Sequence, residues 1–598
     1  MKILLTAVNA KYIHSNLAIY SLRAYAKQYE NHVEIAEFTI NNYVDDILMG
    51  IYEKKPDVVA FSCYIWNINM ILETAMELRK VMPNVKIWLG GPEVTYEAHN
   101  ILKKYEFIDG IMIGEGERTF LHLCEYYVKG IRALHEIHGI SYRMSAKLEV
   151  GSPMSIGSMD IVEAIPQEPM DMDEIPFVYE SMEDFKNKIV YYETSRGCPY
   201  SCSYCLSSID KKVRFRNTEL VKKELKFFID HEVPQVKFVD RTFNCNRKHT
   251  MEIVKFIKEY DKGITNFHFE VSADILNDEE IELFNSLRPG LVQLEIGVQS
   301  TNELTVSEIR RKMDFNKLSE IVKRIYAPRN IHQHLDLIVG LPYEDYESFK
   351  KSFNDVYGLK PDQLQVGFLK VLSGSYMVEQ SAVHGVVYKS YAPYEVLFTK
   401  YLSYDEVLHL KKVTDMVEVY YNSMQFTNSI EYMEHFFETP FTLYDSLAKF
   451  YVAKGIYGLS QSRLNRYYLL LEFFGQIPNV SNEQLSAFSE ILLYDLYLRE
   501  KLKSRPSFAK NTMLSKSLIH GLLSENRNVV EQVKIYHIES FTIDIKKTVE
   551  SGAVVEANDY VFFDYDHRDP LSHDATVTVL NSPTSDFYEN GNCETFNL

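Results

Sequence analysis

Short apolar runs of strand length alternate with amphipathic stretches of helix length from the first residues to about position 395, and the alternation breaks once. Continuously apolar strands need cover on both faces, and each return to a parallel neighbour needs a crossover helix, so the pattern predicts parallel sheets of the α/β class. Before the break the strand runs are Lys2–Ala7, Val33–Glu37, Val58–Ser62, Lys86–Leu89 and Gly110–Ile113, with helical stretches such as Leu17–Tyr29 and Met70–Val81 between them. That is the order of a doubly wound, Rossmann-like sheet. After the break come Ile189–Thr194, Gln235–Val239, Phe267–Val271, Leu291–Ile296, His334–Val339 and Leu364–Leu369, separated by helical stretches such as Thr218–Ile229 and Asn316–Ile325. These strand-helix units predict an open, partial (β/α)6 barrel. The break itself, 146–183, carries Pro and acidic residues from Glu163 to Pro169 and from Asp171 to Pro176, and is read as a linker.

Three of the seven cysteines fall within eight residues, at Cys198, Cys202 and Cys205, directly after the first strand run of the second set. Three thiolates at C-x3-C-x2-C spacing can hold three corners of a 4Fe-4S cluster and leave one iron open to a ligand, which points to an enzyme. A zinc knuckle would need a fourth Cys or His nearby, and His231 and Cys245 lie too far along. The cysteines at 63, 124, 245 and 593 are scattered and form no disulfide framework, so a reducing compartment, the cytoplasm, is expected. A formal charge of -19, from 83 acidic against 64 basic groups, argues against a broad nucleic-acid surface or docking on an anionic membrane. The short basic run Lys211-Lys212 with Arg214 and Arg216 reads first as solvated faces and second as contacts to an anionic ligand. No apolar stretch approaches the roughly 20 residues of a membrane span, and Met1–Asn9 lacks the context of a signal peptide.

Ligands of parallel sheets sit at the carboxyl ends of the strands. In the first set those loops are Asn9–Ser15, Cys63–Asn67, the run Gly90-Gly91-Pro92-Glu93 and the run Gly114-Glu115-Gly116-Glu117. In the second set they carry Asp240 to Asn244, Glu270 with Ser272, Glu295 to Ser300, and Asp336 to Glu344. Any one of these carboxylates could be a helix cap or an ion-pair partner. Their joint order along the chain is what points to a site.

With Ser195-Arg196-Gly197 leading into the cysteines and Tyr204 at the aromatic position, the motif resembles that of the radical S-adenosylmethionine (SAM) superfamily, C-x3-C-x-aromatic-C. The resemblance implies that the open iron chelates SAM and that one electron cleaves it to a 5'-deoxyadenosyl radical. It further implies that the Asp240 segment approaches the SAM amino group. The run Glu295 to Ser300, similar to the family's E-x-G-x-Q-S element, would line the ribose and methionine, and the turn from Asp336 would support the adenine. Tyr204, Asp240, Ser272, Glu295, Gln299 and Asp336 are thus the implied SAM residues. Residues 1–140, placed just ahead of this core, resemble the cobalamin-binding domain of one branch of the superfamily. Tyr12, His14, Ser62, Gly90, Gly91, Glu93, Gly114, Glu115 and Gly116 are the contacts this implies. The Asp-x-His-x-x-Gly motif that gives cobalt a histidine in methionine synthase-like proteins is absent, so His14 is expected not to ligate cobalt. The alternative is a nucleotide-fold relic that binds nothing.

Beyond the core, 184–400, helical apolar stripes such as Leu410, Val413, Val417 and Tyr420 predict a mainly helical extension over 401–580. Strands at Val533–Ile545, Tyr560–Tyr565 and Thr576–Leu580 would close it as a small antiparallel sheet, and 581–598 would be a flexible tail. The resemblance implies methylation of an unactivated carbon in a small-molecule or peptide substrate, with electrons from a flavodoxin- or ferredoxin-like donor. Cobalamin-assisted cyclisation or rearrangement is a second reading, and a non-catalytic corrinoid or redox sensor a third.

Overall fold

A computed structural model describes residues 1–144, 161–509 and 513–582; the first part of the linker, Cys593 and nearly all of the expected tail lie outside the described residues. The chain divides into two compact units, one formed by 1–331, 338–346 and 367–404, the other by 332–337, 347–366 and 405–598.

In the first unit the N-terminal sheet runs in the order β2-β1-β3-β4-β5-β6-β7, with β1 Ile3–Asn9, β2 Val33–Thr39, β3 Val58–Ser62, β4 Lys86–Gly90, β5 Gly110–Met112, β6 Ile140–Arg143 and β7 Ile161–Val162. β1 to β5 are parallel, and every residue of β1 and β3 is buried, as continuously apolar runs require. The order reverses between β1 and β3, which opens a crevice at their carboxyl ends. Asn67 closes its floor by donating to Val8 O at 2.9 Å and Ser62 O at 3.0 Å. β6 adds antiparallel to β5 and β7 antiparallel to β6, an edge that the sequence pattern does not announce.

The stretch 161–183, read as a linker, supplies β7 and buries Met170, Met172 and Tyr179. These anchors follow neither a helical nor a strand period, which is why composition alone reads as a connection. The second set of strands begins with β8, Val190–Tyr192, followed by Gln235–Phe238, Asn266–Val271 and Val292–Gln299, all parallel and paired in chain order. Two more strands of the predicted series, His332–Val339 and Gln363–Phe368, follow, and the boundary between the units falls inside each.

In the second unit, helix Asn482–Arg499 packs on an antiparallel sheet of Tyr536–Ile543, Glu556–Arg568 and Ala575–Leu580 and against helices Thr427–Glu434 and Arg463–Phe474, with Pro440–Ala453 against Thr427–Glu434. Helix Asn482–Arg499 is buried nearly all round and starts in a Ser481–Gln484 capping box.

Candidate functional site

Within the first unit, a cavity of about 730 Å³ opens where the loops of the N-terminal sheet meet the edge of the second sheet. Seven of the nine implied cobalamin residues line it: His14, Ser62, Gly90, Gly91, Gly114, Glu115 and Gly116. The glycines are there for reach. At Gly91, φ is +115° and a Cβ would lie 2.5 Å from Cys63 O, so only glycine lets the two loops approach. Gly114, at φ +77°, has no heavy atom within 4 Å of its would-be Cβ and leaves open space beside the cavity. Asn16 caps the helix Leu17–Tyr25 and donates to Ser62 Oγ at 3.2 Å, locking the loops after β1 and β3 together. Tyr12 is exposed and Glu93 turns to Tyr394, its carboxyl raised by burial; neither lines the cavity.

His14 is held by the second sheet. Its Nδ1 lies 2.5 Å from Tyr191 Oη, its backbone bridges Ile189, and burial followed by Lys11 lowers its pKa. The neutral ring thus spends one nitrogen on Tyr191.

The far wall carries charge. Arg196, in the lead-in to the cysteines, reaches Glu117 at 2.6 Å, Glu193 at 2.9 Å and Glu115 at 3.4 Å. Burial raises the Glu193 carboxyl; at Glu117 burial is outweighed by Arg196, and the pKa falls. Glu117 sits in the first turn of helix Gly116–Cys124, where the helix dipole also favours the anion. Arg214 pairs with Glu115 and donates to Met170 O at 2.7 Å. One buried ionic network therefore joins the fifth-strand loop, the 161–183 stretch and the cysteine loop.

The cysteine loop is fixed by its backbone. Cys198 N donates to Asp210 O at 2.9 Å, Ser203 N to Ile309 O at 2.9 Å, and Met377 N to Ser203 O at 2.8 Å. Gly197, at φ +94°, could not carry a Cβ, which would lie 2.7 Å from Lys212 O. Cys198 and Cys202 are buried and Cys205 half-buried; Tyr204 packs on the apolar group around Leu341 and Leu369. Arg311 Nη1 lies 3.8 Å from Cys202 Sγ, and its other nitrogen donates to Gly297 O. Three soft sulfur donors in one loop, with a guanidinium beside one of them, fit an iron-sulfur cluster.

Asp240 is fully buried and clamps this loop's lead-in, accepting from Thr194 N at 2.9 Å, Thr194 Oγ1 at 2.6 Å and Ser195 Oγ at 2.5 Å. Burial pushes its pKa up to about 6. The Ser272 backbone accepts from Asn244 Nδ2 and donates to Asn244 Oδ1, and its side chain meets Tyr200 of the cysteine loop. Glu295 Oε2 lies 3.0 Å from both Lys237 Nζ and His268 Nε2. Gln299 is buried at φ +73° with its carboxamide oxygen unpaired among the described residues, and a Cβ on Gly297 would lie 2.4 Å from its nitrogen. An orphaned buried acceptor over a glycine is what a polar ligand such as SAM would satisfy. Asp336 belongs to the second unit, where His334 Nε2 lies 2.7 Å away.

Sequence reasoning did not single out Tyr191, Glu193, Glu117 or Arg311. Arg311 hides in the run Arg310-Arg311-Lys312, which looks like solvated charge; the partners of Tyr191 and Glu117 lie 177 and 79 positions away in the chain, and Glu193, three residues before its partner Arg196, stands in no motif.

Residues 3–124 match the model of the B12 binding domain, 192–356 that of the radical SAM superfamily, and 382–563 one described as protein of unknown function (DUF4080). The protein thus carries a B12-binding domain ahead of a radical SAM domain. It is 27% identical over 354 residues to the cobalamin-dependent radical SAM methyltransferase TokK of Streptomyces tokunonensis, covering 55% of this chain and 49% of TokK. It is 23% identical over 323 residues to the anaerobic magnesium-protoporphyrin IX monomethyl ester cyclase of Rubrivivax gelatinosus, covering 53% and 57% respectively. The chain spans about half the length of these curated relatives. The cobalamin-dependent SAM radical enzyme OxsB, solved with aqua-cobalamin bound, shares the fold at a TM-score of 0.56 and 14% identity, over 82% of this chain and 80% of that one.

Proposed function

We propose that the protein is a cobalamin-dependent radical SAM enzyme that methylates an unactivated carbon of a small-molecule or peptide substrate. The observation that carries this reading is the shared cavity: glycine loops of the B12-binding domain form one wall, and Arg196, two residues before the first cysteine, forms part of the other. When bound, the cluster supplies the electron that splits SAM, and cobalamin supplies the methyl group. Cys198, Cys202 and Cys205 would hold the cluster; Tyr204, Asp240, Ser272, Glu295 and Gln299 would shape the SAM site, with Asp240 acting through the Thr194–Ser195 lead-in. Gly90, Gly91, Gly114 and Gly116 would take the corrinoid by close backbone approach, while Glu115 holds the cavity's ionic wall in place. The working division is 1–140 for cobalamin, 184–400 for SAM and 401–580 for substrate, in a reducing compartment such as the cytoplasm. Among the described residues no helix is long and apolar enough to cross a membrane.

The test is anaerobic reconstitution with iron, sulfide and hydroxocobalamin, then chromatography of SAM products under reduction. S-adenosylhomocysteine together with 5'-deoxyadenosine is the expected result. Deoxyadenosine alone would favour the cyclase-type reading, which the similarity to the Rubrivivax cyclase keeps in view. Neither product from well-loaded protein would overturn both.

A further inference from the structure

Four exposed cations stand on the two backbone segments that grip the cysteine loop. Lys211 and Lys212 follow Asp210, whose carbonyl holds Cys198 N; Arg310 and Lys312 flank Arg311, and Ile309 just before them holds Ser203 N. None of the four has a carboxylate partner among the described residues, whereas the nearby acids are committed: Asp210 to Arg214 at 3.0 Å, Glu308 to His384 at 3.0 Å, and Asp314 to capping the helix Phe315–Tyr326. Arg310 is held in place with its guanidinium 3.5 Å from the centre of the Tyr376 ring, and Met377, the next residue, bonds back to Ser203. Exposed Ile209 adds an apolar contact on the same segment as the lysines.

A basic rim on a chain of formal charge -19 is a directional feature. The whole-protein field repels an acidic partner, and within roughly 8 Å, the screening length at physiological salt, the rim attracts it. We infer that this rim is the docking surface for an acidic one-electron carrier protein that reduces the cluster, an inference that rests on the cluster reading of the cysteine loop. The loop's own backbone contacts put the rim beside the metal ligands, and electron transfer needs that short approach. In the step, a reduced flavin gives one electron to the oxidised cluster and becomes its semiquinone; no bond forms or breaks between the proteins.

The experiment compares wild type with the charge-reversed Lys211→Glu, Lys212→Glu, Arg310→Glu, Lys312→Glu variant, both full length. Rapid mixing with photoreduced flavodoxin follows the loss of visible cluster absorbance at low and high salt. Photoreduced deazaflavin, small and uncharged, serves as the second reductant, and calorimetry measures binding of oxidised flavodoxin to cluster-free protein. Wild-type reduction should slow with salt; the variant should be reduced by flavodoxin on the order of tenfold or more slowly at low salt and lose that salt dependence. Its reduction by deazaflavin should be unchanged. Equal flavodoxin rates, or equal slowing with deazaflavin, would overturn the docking surface. If no cluster assembles in wild type, the site reading fails separately, and unchanged calorimetric affinity in the variant would still overturn the rim. Loss of single-stranded DNA retention in the variant, with flavodoxin reduction untouched, would assign the rim to a polyanion instead.

Discussion

Asp240 and Asp495 are near twins in opposite halves of the chain. Each is almost wholly buried, each is pushed up to about 6 by burial, and each is surrounded by donors from a Ser or Thr and its neighbour. Asp240 accepts from Thr194 and Ser195; Asp495 accepts from Asn428 N and Nδ2 at 3.2 and 2.7 Å and from Ser429 N and Oγ at 2.8 and 2.6 Å. What differs is the segment each one fixes. The donors of Asp240 lead into the cysteine loop, while those of Asp495 begin a helix packed in an apolar interior. A shifted pKa therefore marks a constrained backbone, and only the chemistry next to that backbone makes it a functional site.

The largest effect expected on the Asp240 side comes from the ligands it serves. The Cys198→Ala, Cys202→Ala, Cys205→Ala protein should carry no iron above background and no visible absorption after reconstitution. Cys245→Ala should keep both, because burial raises that half-buried thiol to about 11 and leaves it protonated at neutral pH. Wild-type iron content in the triple variant would remove the reason for treating the two aspartates differently.

Next in size is the pair itself. Asp240→Ala and Asp495→Ala each leave several buried donors without an acceptor, a cost of about 3 kcal/mol or more. If the comparison holds, the first lowers iron incorporation per folded chain severalfold, and the second lowers the melting temperature while iron per folded chain stays at the wild-type level. Equal iron loading in both variants would break it.

The two halves also differed in how far they could be read from sequence. Strand-end chemistry was visible because buried parallel strands are apolar and their polar ends stand out, as at Glu295 to Gln299. The helical stripes after 400 and the three C-terminal strands were visible by period, yet the work of Asp495 was not, since its partners lie 66 and 67 positions away and carry no motif. The same holds for Arg196, a familiar lead-in residue whose partner Glu117 lies 79 positions before it. β6 and β7 escaped because short edge strands have too few residues to show alternation. Sequence period reports on local faces, and long-range ionic pairs leave no period.

A smaller effect concerns pH. Both aspartates have folded values of about 6 against an ordinary 3.8, so the folded protein binds more protons than the unfolded chain between those values. Their contribution to stability is therefore present below about pH 4 and lost as pH rises through 6, by at most about 3 kcal/mol each, at 1.36 kcal/mol per unit. Asp495→Asn removes that titration. The difference in melting temperature, wild type minus variant, should fall between pH 4.5 and 7.5, and a difference that rises over this range would reverse the assignment.

The smallest expected effect tests whether the cavity binds through backbone or through a side chain. Among the described residues His14 is the one histidine on its wall, and its Nδ1 is held 2.5 Å from Tyr191 Oη, while the backbone bridge to Ile189 does not depend on the imidazole. His14→Ala should therefore retain hydroxocobalamin within about threefold of wild type, a change of roughly 0.6 kcal/mol, and bound Co(II) should show no nitrogen splitting from a protein ligand in its paramagnetic spectrum. Gly91→Val makes the opposite case: its Cβ would lie 2.5 Å from Cys63 O at a φ that valine disfavours, so retention should drop sharply although no polar group is lost. If His14→Ala lost binding and Gly91→Val kept it, the wall would be working through its imidazole, and the glycine loops would be turns serving the sheet alone.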